Sequence, residues 1–179
     1  MTKSHQTTIE MPDTVDVGHF FQDEGTYYFG KASLADLEAL IDMRITYLQA
    51  ELGALDAQAE AETRHQLRPF FERHVDLDLL IYVARCDGRI VGSVFLMLYE
   101  HPPRPDRPMG RHGVVYNVVT VEAHRGQGIA TNLVQMLLIA GRSLGLDDIS
   151  LHATAQGKPI YKRLGFVEDA CDRMVYKFT

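Results

Sequence analysis

Residues 114–130 read VVYNVVTVEAHRGQGIA. Gly113 to Thr120 is apolar and β-branched, which predicts a buried central strand. A short polar loop follows, then Arg125-Gly126-Gln127-Gly128-Ile129-Ala130, then a helical pattern from Thr131. That order sets a glycine loop and the positive end of a helix dipole just past a strand end. Such a place binds an anion, most naturally a pyrophosphate. Gly126 and Gly128 remove the Cβ that would hold a phosphate away from the backbone. Successive N–H groups can then turn inward as a nest. Arg125 adds a charge suited to phosphate oxygens, and the small Ala130 lets the helix start lie close to ligand and sheet. A pyrophosphate held there implies a nucleotide-like cofactor. Taken alone, such a loop also suits a plain strand-to-helix turn. No Gly-Lys-Ser/Thr follows, so it is not a Walker A loop. Two glycines without a matching first strand near the N-terminus make a poor dinucleotide fingerprint.

Working outward, Thr131 to Leu144 reads as a helix apolar nearly all round, carrying Leu133, Val134, Met136, Leu137, Leu138 and Ile139 and ended by Gly145. Asp148 to Ala153 predicts a strand, and Lys158 to Leu164 a short helix closed by Gly165. Phe166 to Glu168 and Arg173 to Phe178 predict a last strand pair. On the N-terminal side, Leu79 to Cys86 and Arg89 to Tyr99 are β-rich runs joined by Asp87-Gly88, a strong hairpin signal because both turn positions need positive φ. Residues 101–112, HPPRPDRPMGRH, form a proline-rich basic loop. Thr26 to Lys31 suggests a first strand. Ser33, with Asp36 three residues on, suggests a capping box opening a helix with Leu34, Leu37, Ile41, Ile45, Leu48 and Leu52 at helical spacing, up to Gly53. A second helix spans about Asp56 to His74, where Pro69 should kink it or open a new short helix. The order β-α-α-β-β-β-α-β-α-β shows no repeat. The strand–helix–strand unit at 114–153 requires a parallel pair and the Asp-Gly hairpin an antiparallel one. The fold class expected is therefore α/β (α+β), with a mixed sheet.

Length and composition bound the function. The chain has 179 residues, 46% hydrophobic, with a net charge of −6. A polar tail over residues 1–25 and one domain over 26–179 are expected. The acidic balance argues against non-specific binding to nucleic acid or to an anionic membrane surface. No apolar run approaches the roughly 20 residues that cross a bilayer, and the N-terminus lacks the apolar core of a secretory signal. The cysteines, Cys86 and Cys171, match no metal spacing and no disulfide framework, and are expected as a buried thiol and a loop residue. These features suggest a cytoplasmic protein with no metal, nucleic-acid or membrane partner.

The loop has a companion downstream. Leu151 to Phe166 reads LHATAQGKPIYKRLGF, a strand, a short helix and Tyr161-x-x-x-Gly165-Phe166. Together with Arg125-Gly-Gln-Gly128-Ile-Ala130, this resembles the GNAT superfamily of acetyl-CoA-dependent N-acetyltransferases, whose signature is Arg/Gln-x-x-Gly-x-Gly/Ala after a strand. The match is specific over Asn117 to Phe166 and weaker over Tyr27 to Tyr99. The resemblance implies a mostly antiparallel sheet whose parallel central pair splays apart, helices on both faces, and the pantetheine arm lying in the splay. Val118, Val119 and Thr120 would bond that arm. Arg125, Gly126, Gln127, Gly128, Ile129, Ala130 and Thr131 would bind the pyrophosphate, and an N–H near Val118 or Val119 would polarise the thioester carbonyl. Tyr161 would protonate the departing thiolate, help typically worth 10²–10⁴-fold. The family often has Asn where this chain has Thr154, which keeps a hydroxyl for the cofactor. The proline common before the loop is replaced by Glu122-Ala123.

The resemblance implies transfer of an acetyl group from acetyl-CoA, as cosubstrate, to a primary amine of a small molecule or peptide by direct attack in a ternary complex. An acyl-CoA sensor without turnover is the alternative. A second alternative is an interaction protein whose loop is merely a turn. Homodimers are common in the family. At pH 7 neutralising a lysine-like amine costs about 4.6 kcal/mol, so a base or water chain is needed. The central strand carries no carboxylate. Glu100 is the nearest acid by topology, Asn117 could hold a water, and His101, His112 and His152 are further candidates. The base stays open among them. Arg104, Arg107 and Arg111 of the basic loop are candidates for favouring an acceptor with a carboxylate or phosphate, against the alternative of a solvated surface loop.

Overall fold

In the computed structural model, residues 20–22, 25–169 and 175–176 are described. They form strands β1 (Phe20–Gln22), β2 (Gly25–Lys31), β3 (Leu79–Cys86), β4 (Arg89–Glu100), β5 (Arg111–Thr120) and β6 (Asp148–Leu151). The helices are α1 (Leu37–Leu52), α2 (Ala57–His74), α3 (Ile129–Ser143) and α4 (Lys158–Arg163). The sheet order is β1-β2-β3-β4-β5-β6. Neighbours are antiparallel up to β5, and β5 and β6 are parallel. The mixed sheet expected from the hairpin and the strand–helix–strand unit is thus observed.

Local chemistry explains most boundaries. Ser33 accepts from Ala35 N and its own N–H meets Asp36, completing the capping box on a 3-10 turn (Leu34–Asp36) that leads into α1. α1 ends at Gly53, whose φ of +89° an L side chain would resist. Asp56 caps α2 by accepting from Ala59 N at 2.8 Å. Asp87 and Gly88 take φ of +48° and +74° at the hairpin tip.

The sheet is buried on both sides. Leu80, Tyr82, Ala84, Val94, Leu96, Leu98 and Val115 pack against Leu133, Val134, Met136, Leu137 and Ala140 of α3. On the opposite face Leu79, Ile81, Val83, Phe95 and Met97 pack against Leu40, Ile41 and Ile45 of α1 and Phe71 of α2. This is why β3 and β4 read as unbroken apolar runs rather than alternating ones. Each fully buried Leu or Ile contributes about 1.5–3 kcal/mol.

Several expectations are corrected. The short strand β1 lies within the residues assigned to the tail, and it pairs with β2. α2 runs through Pro69 as one helix. Leu34 and Leu52, expected on the apolar stripe, are exposed. α3, whose nearly all-round apolar pattern suggests thorough burial, is buried along one side, and Ile139 on the other is 42% exposed. β6 stops at Leu151 rather than Ala153. Phe166 to Glu168 forms no strand, and nor do Val175 and Tyr176. The rest of the expected Arg173 to Phe178 strand lies outside the described residues. Cys86 is half-buried at the end of β3, and Cys171 lies outside the described residues.

Gly92 sets how closely the start of α3 approaches the sheet. A Cβ on Gly92 of β4 would lie 2.7 Å from Ile129 Cγ2 and 3.3 Å from Val119 O. Gly92→Ala is expected to lower the unfolding free energy by about 1–3 kcal/mol, read by urea denaturation. A neutral result would mean that the helix start is free to lift.

Candidate active site

The site begins where two strands part. β5 and β6 pair only from His112↔Asp148 to Val115↔Leu151. β6 ends there, while β5 continues to Thr120. Among the described residues, the edge of β5 from Tyr116 to Thr120 therefore has no strand beside it, and its backbone groups need another partner. On the other edge, Ser93 faces Val119 and Phe95 faces Tyr116. Asn117 and Val118 thus share the span of Val94 alone, a β-bulge. Asn117 has φ of +55°, a conformation that Asn tolerates better than other residues with a Cβ. Its side chain is 1% exposed. The amide nitrogen donates to Ser93 Oγ at 3.0 Å, and Oδ1 accepts from Arg44 of α1 at 3.5 Å. The bulge re-aims the backbone at Val118, beside the gap.

Beyond β5, a 3-10 turn (Glu122–His124) leads to the glycine loop. Gly126 and Gly128 have φ of +78° and +75°. No side chain caps α3. Among the described residues the backbone N–H groups of Gly126, Gly128, Ile129, Ala130 and Thr131 meet no acceptor. Arg125, Gly126, Gln127 and Gly128 are exposed, whereas the Ile129 side chain is buried beneath them. Such donors at the positive end of a 15-residue helix are suited to receive an anion. Arg125 Nε donates to Thr120 O at 3.2 Å, which holds its side chain back along the loop. Thr120 Oγ1 is buried without a hydrogen-bond partner among the described residues. This orphan lies on the unpaired stretch of β5, where a polar ligand atom would satisfy it. His124 Nδ1 and Tyr27 of β2 are 2.9 Å apart in a hydrogen bond that steadies the turn.

Tyr161 projects from α4 and is 8% exposed. Its ring meets Phe166 edge-on, with centroids 5.8 Å apart. Burial, and then the neighbouring Tyr47 of α1, push the Tyr161 phenol above its ordinary value of 10.0. Tyr47 and Tyr161 belong to opposite faces of the sheet, and they interact because no strand separates them where β5 and β6 part. Thr154 is exposed, and its hydroxyl accepts from Gly157 N at 3.1 Å, tightening the turn into α4. That leaves its O–H free to donate.

Not every expected residue joins this cluster. Glu100 is exposed at the far end of β4, opposite Arg111. Glu100 lies five residue steps along the strand from Phe95 beside the bulge, roughly 17 Å. Asn117 is present, and its amide bonds to Ser93 and Arg44, which places it in shaping the bulge. His112 bonds Asp148, and Ser150 Oγ at 3.0 Å, at the paired end of β5. His101 stacks loosely on His112, and His152 is exposed just past β6. Arg107 and Arg111 tie the basic loop down, pairing with Asp148 at 2.5 Å and donating to Leu144 O at 3.2 Å, while Arg104 pairs with Asp106 of the same loop at 2.6 Å.

The residues missed by the sequence reading come from α1 and from the strands beside the gap. Arg44 is half-buried, stacks over Tyr47 at 5.1 Å, and is held below its ordinary value by burial. Tyr47 is raised by burial and by Glu51. Tyr99 is hydrogen-bonded to Tyr116, chiefly for which reason its phenol is pushed up to about 12. An arginine interrupting an apolar helical stripe was the available signal for Arg44.

Comparison with known proteins gives consistent matches. A family model described as "Acetyltransferase (GNAT) family" matches residues 40–166. A curated relative, N-alpha-acetyltransferase MAK3 of Arabidopsis thaliana, is 30% identical over 91 residues, covering 49% of this chain and 45% of that protein. The chain thus matches less than half the length of this relative. Among solved structures, a predicted acetyltransferase with acetyl-CoA from Clostridium acetobutylicum aligns with TM-score 0.72 and 23% identity, over 84% of this chain and 96% of that one. A GCN5-related N-acetyltransferase from Ralstonia eutropha aligns with TM-score 0.69 and 23% identity, over 84% and 98%. These likenesses establish the fold.

The bulge is testable without any ligand. Asn117→Ala is expected to cost about 1–3 kcal/mol, from positive-φ strain and from the bond lost at buried Ser93. Asn117→Gly is expected to cost less, since it keeps the conformation. Equal costs in urea denaturation would show that backbone strain plays no part.

Proposed function

The chain belongs to the GNAT acetyltransferase family, and from that premise we propose that it transfers an acetyl group from acetyl-CoA to a primary amine by direct attack in a ternary complex. The observation that carries this reading is the conjunction of an uncapped α3 N-terminus with an unpaired strand edge leading to a buried tyrosine. An extended chain with amides and a diphosphate at one end fits that shape. The N–H groups of Gly126, Gly128, Ile129, Ala130 and Thr131, with the Arg125 and Gln127 side chains in the same loop, take the pyrophosphate. Val118, Val119, Thr120 and, through its hydroxyl, Thr154 bond the pantetheine arm.

The chemistry then falls at the bulge. The Val118 N–H polarises the thioester carbonyl as its oxygen gains charge. The neutral amine attacks the carbonyl carbon, forming the C–N bond, and the C–S bond breaks. The departing sulfur takes the Tyr161 proton, and the nitrogen loses one to solvent. Tyr161 regains its proton from water. Burial suits the phenol to this role, since a raised value keeps it protonated while the amine becomes neutral. Asn117 holds the bulge in place. Glu100 is too distant for direct proton removal, so water in the open gap beside Tyr116 carries that proton. No cysteine adjoins the gap among the described residues, which disfavours an acyl-enzyme.

Relatives point the same way about the acceptor. The curated relative is named for acetylation of an α-amino group, and a solved structure of similar fold is a glucosamine-6-phosphate N-acetyltransferase from Arabidopsis thaliana. An amine nitrogen is common to both names. Among the described residues no helix is long and apolar enough to cross a membrane, which suits a cytoplasmic setting.

Tyr161→Phe is expected to lower kcat by about 10²–10⁴-fold with acetyl-CoA affinity nearly unchanged, read as coenzyme A release over an amine panel. For the wild type, kcat/KM is expected to rise from pH 7 to 9 without a falling limb, because the raised phenol still holds its proton there. Equal rates for Tyr161→Phe would remove Tyr161 from the chemistry. At a hundred times its Kd, acetyl-CoA should add about 2.7 kcal/mol to stability, and no thermal shift would refute the reading.

A further inference from the structure

Between α1 and α2 lies a cavity of about 540 Å³ lined by Arg44, Leu48, Thr63, His65, Phe70 and Arg73, among others, and by no carboxylate. In a chain with 24 acidic and 18 basic residues, a wall holding two arginines, a histidine and no acid runs against the bulk charge. The helix pair shows what usually happens to its arginines. Arg64 is paired with Asp42 at 2.7 Å and with Glu60 at 2.9 Å, and Arg68 with Glu38. Arg44 and Arg73, the two that line the cavity, form no ion pair among the described residues.

The cavity also communicates with the reacting end of the gap. Arg44 forms its wall and at the same time reaches Asn117 Oδ1 in the bulge at 3.5 Å. A ligand in the cavity therefore lies one side chain away from the point where the thioester carbonyl would sit. Burial disfavours the Arg44 charge more than the neighbouring Glu51 carboxylate and the tyrosines favour it, and an anion entering the cavity would offset the remaining cost. Phe70 and Leu48 supply apolar surface for a short alkyl linker, and Thr63 a hydroxyl.

We propose that the α1–α2 cavity is the acceptor subsite and selects amines bearing a carboxylate or phosphate a few atoms from the nitrogen, with Arg73 and Arg44 as the anion-recognising pair. This rests on the transferase reading above. It moves the specificity expected of Arg104, Arg107 and Arg111 to a different pair of arginines, because those three are held in the loop at the other end of β5.

Matched amines test it: O-phosphoethanolamine against ethanolamine, and β-alanine against 3-aminopropanamide, each with acetyl-CoA. The anionic member of one or both pairs should be preferred at least tenfold in kcat/KM, and the pair showing it identifies phosphate or carboxylate. Arg73 is exposed and unpaired, so Arg73→Gln should fold normally. It should raise KM for the anionic amine about tenfold, leaving kcat, the KM for acetyl-CoA and the neutral amines unchanged, and Arg73→Lys should restore most of the loss. A second readout avoids turnover. By calorimetry, 3-phosphonopropionate or glutarate, neither of which can be acetylated, should bind the wild-type coenzyme A complex and bind Arg73→Gln about tenfold more weakly. Lack of preference between paired amines, equal effects of Arg73→Gln on both members, or no binding of either anion overturns the subsite. Anion binding without transfer to any amine overturns the transferase reading and leaves the anion site standing.

Discussion

The candidate site in this fold is built on β5 outlasting its partner. A strand edge left unpaired inside a domain carries donors and acceptors that must be satisfied by something. Four residue pairs join β5 to β6, and the five residues from Tyr116 to Thr120 then run on alone. The same gap lets α1 on one face and α4 on the other bring Tyr47 and Tyr161 within electrostatic range. One break in pairing therefore yields an extended polar edge and brings a buried phenol within electrostatic range of a tyrosine from the opposite face.

The surrounding structure keeps that break from spreading. The bulge at Asn117 is fixed by Ser93 on β4 and Arg44 on α1, so two elements oppose any return to regular pairing. Gly92 lets Ile129 press against β4 and holds the start of α3 down. The free amides of α3 thus stay aligned with the strand edge that leads to them. In the proposed reading, the start of α3 and the bulge about ten residues before it would meet one extended ligand, and the packing of Ile129 on β4 sets their spacing.

Local rules carried the sequence reading a long way. The Asp87-Gly88 turn, the Ser33–Asp36 capping box and the stop at Gly53 follow from single-residue preferences and are observed. The parallel pair follows from the connection between the strands. What escaped depends on tertiary context. Asn117 carries a weak left-handed preference that became decisive only when Ser93 and Arg44 were there to receive its amide. Arg44 lies on a helix whose apolar stripe gives no hint of which neighbour its charge will meet. Pro69 would break an isolated helix, yet α2 continues through it, with Phe70 and Phe71 packed at the same turn. Glu100 was near the site along the chain, but strand register places it at the wrong end of β4.

The bond between Tyr27 and His124 joins positions 97 residues apart. The turn before the glycine loop is thereby propped from β2, at the opposite flank of the sheet. Trimming the chain back through that strand would remove no ligand-facing group, yet it would withdraw the prop and widen the excursions of the loop. Where a shortened version is made, its grip on nucleotide would report on the truncation point as much as on the loop's own residues.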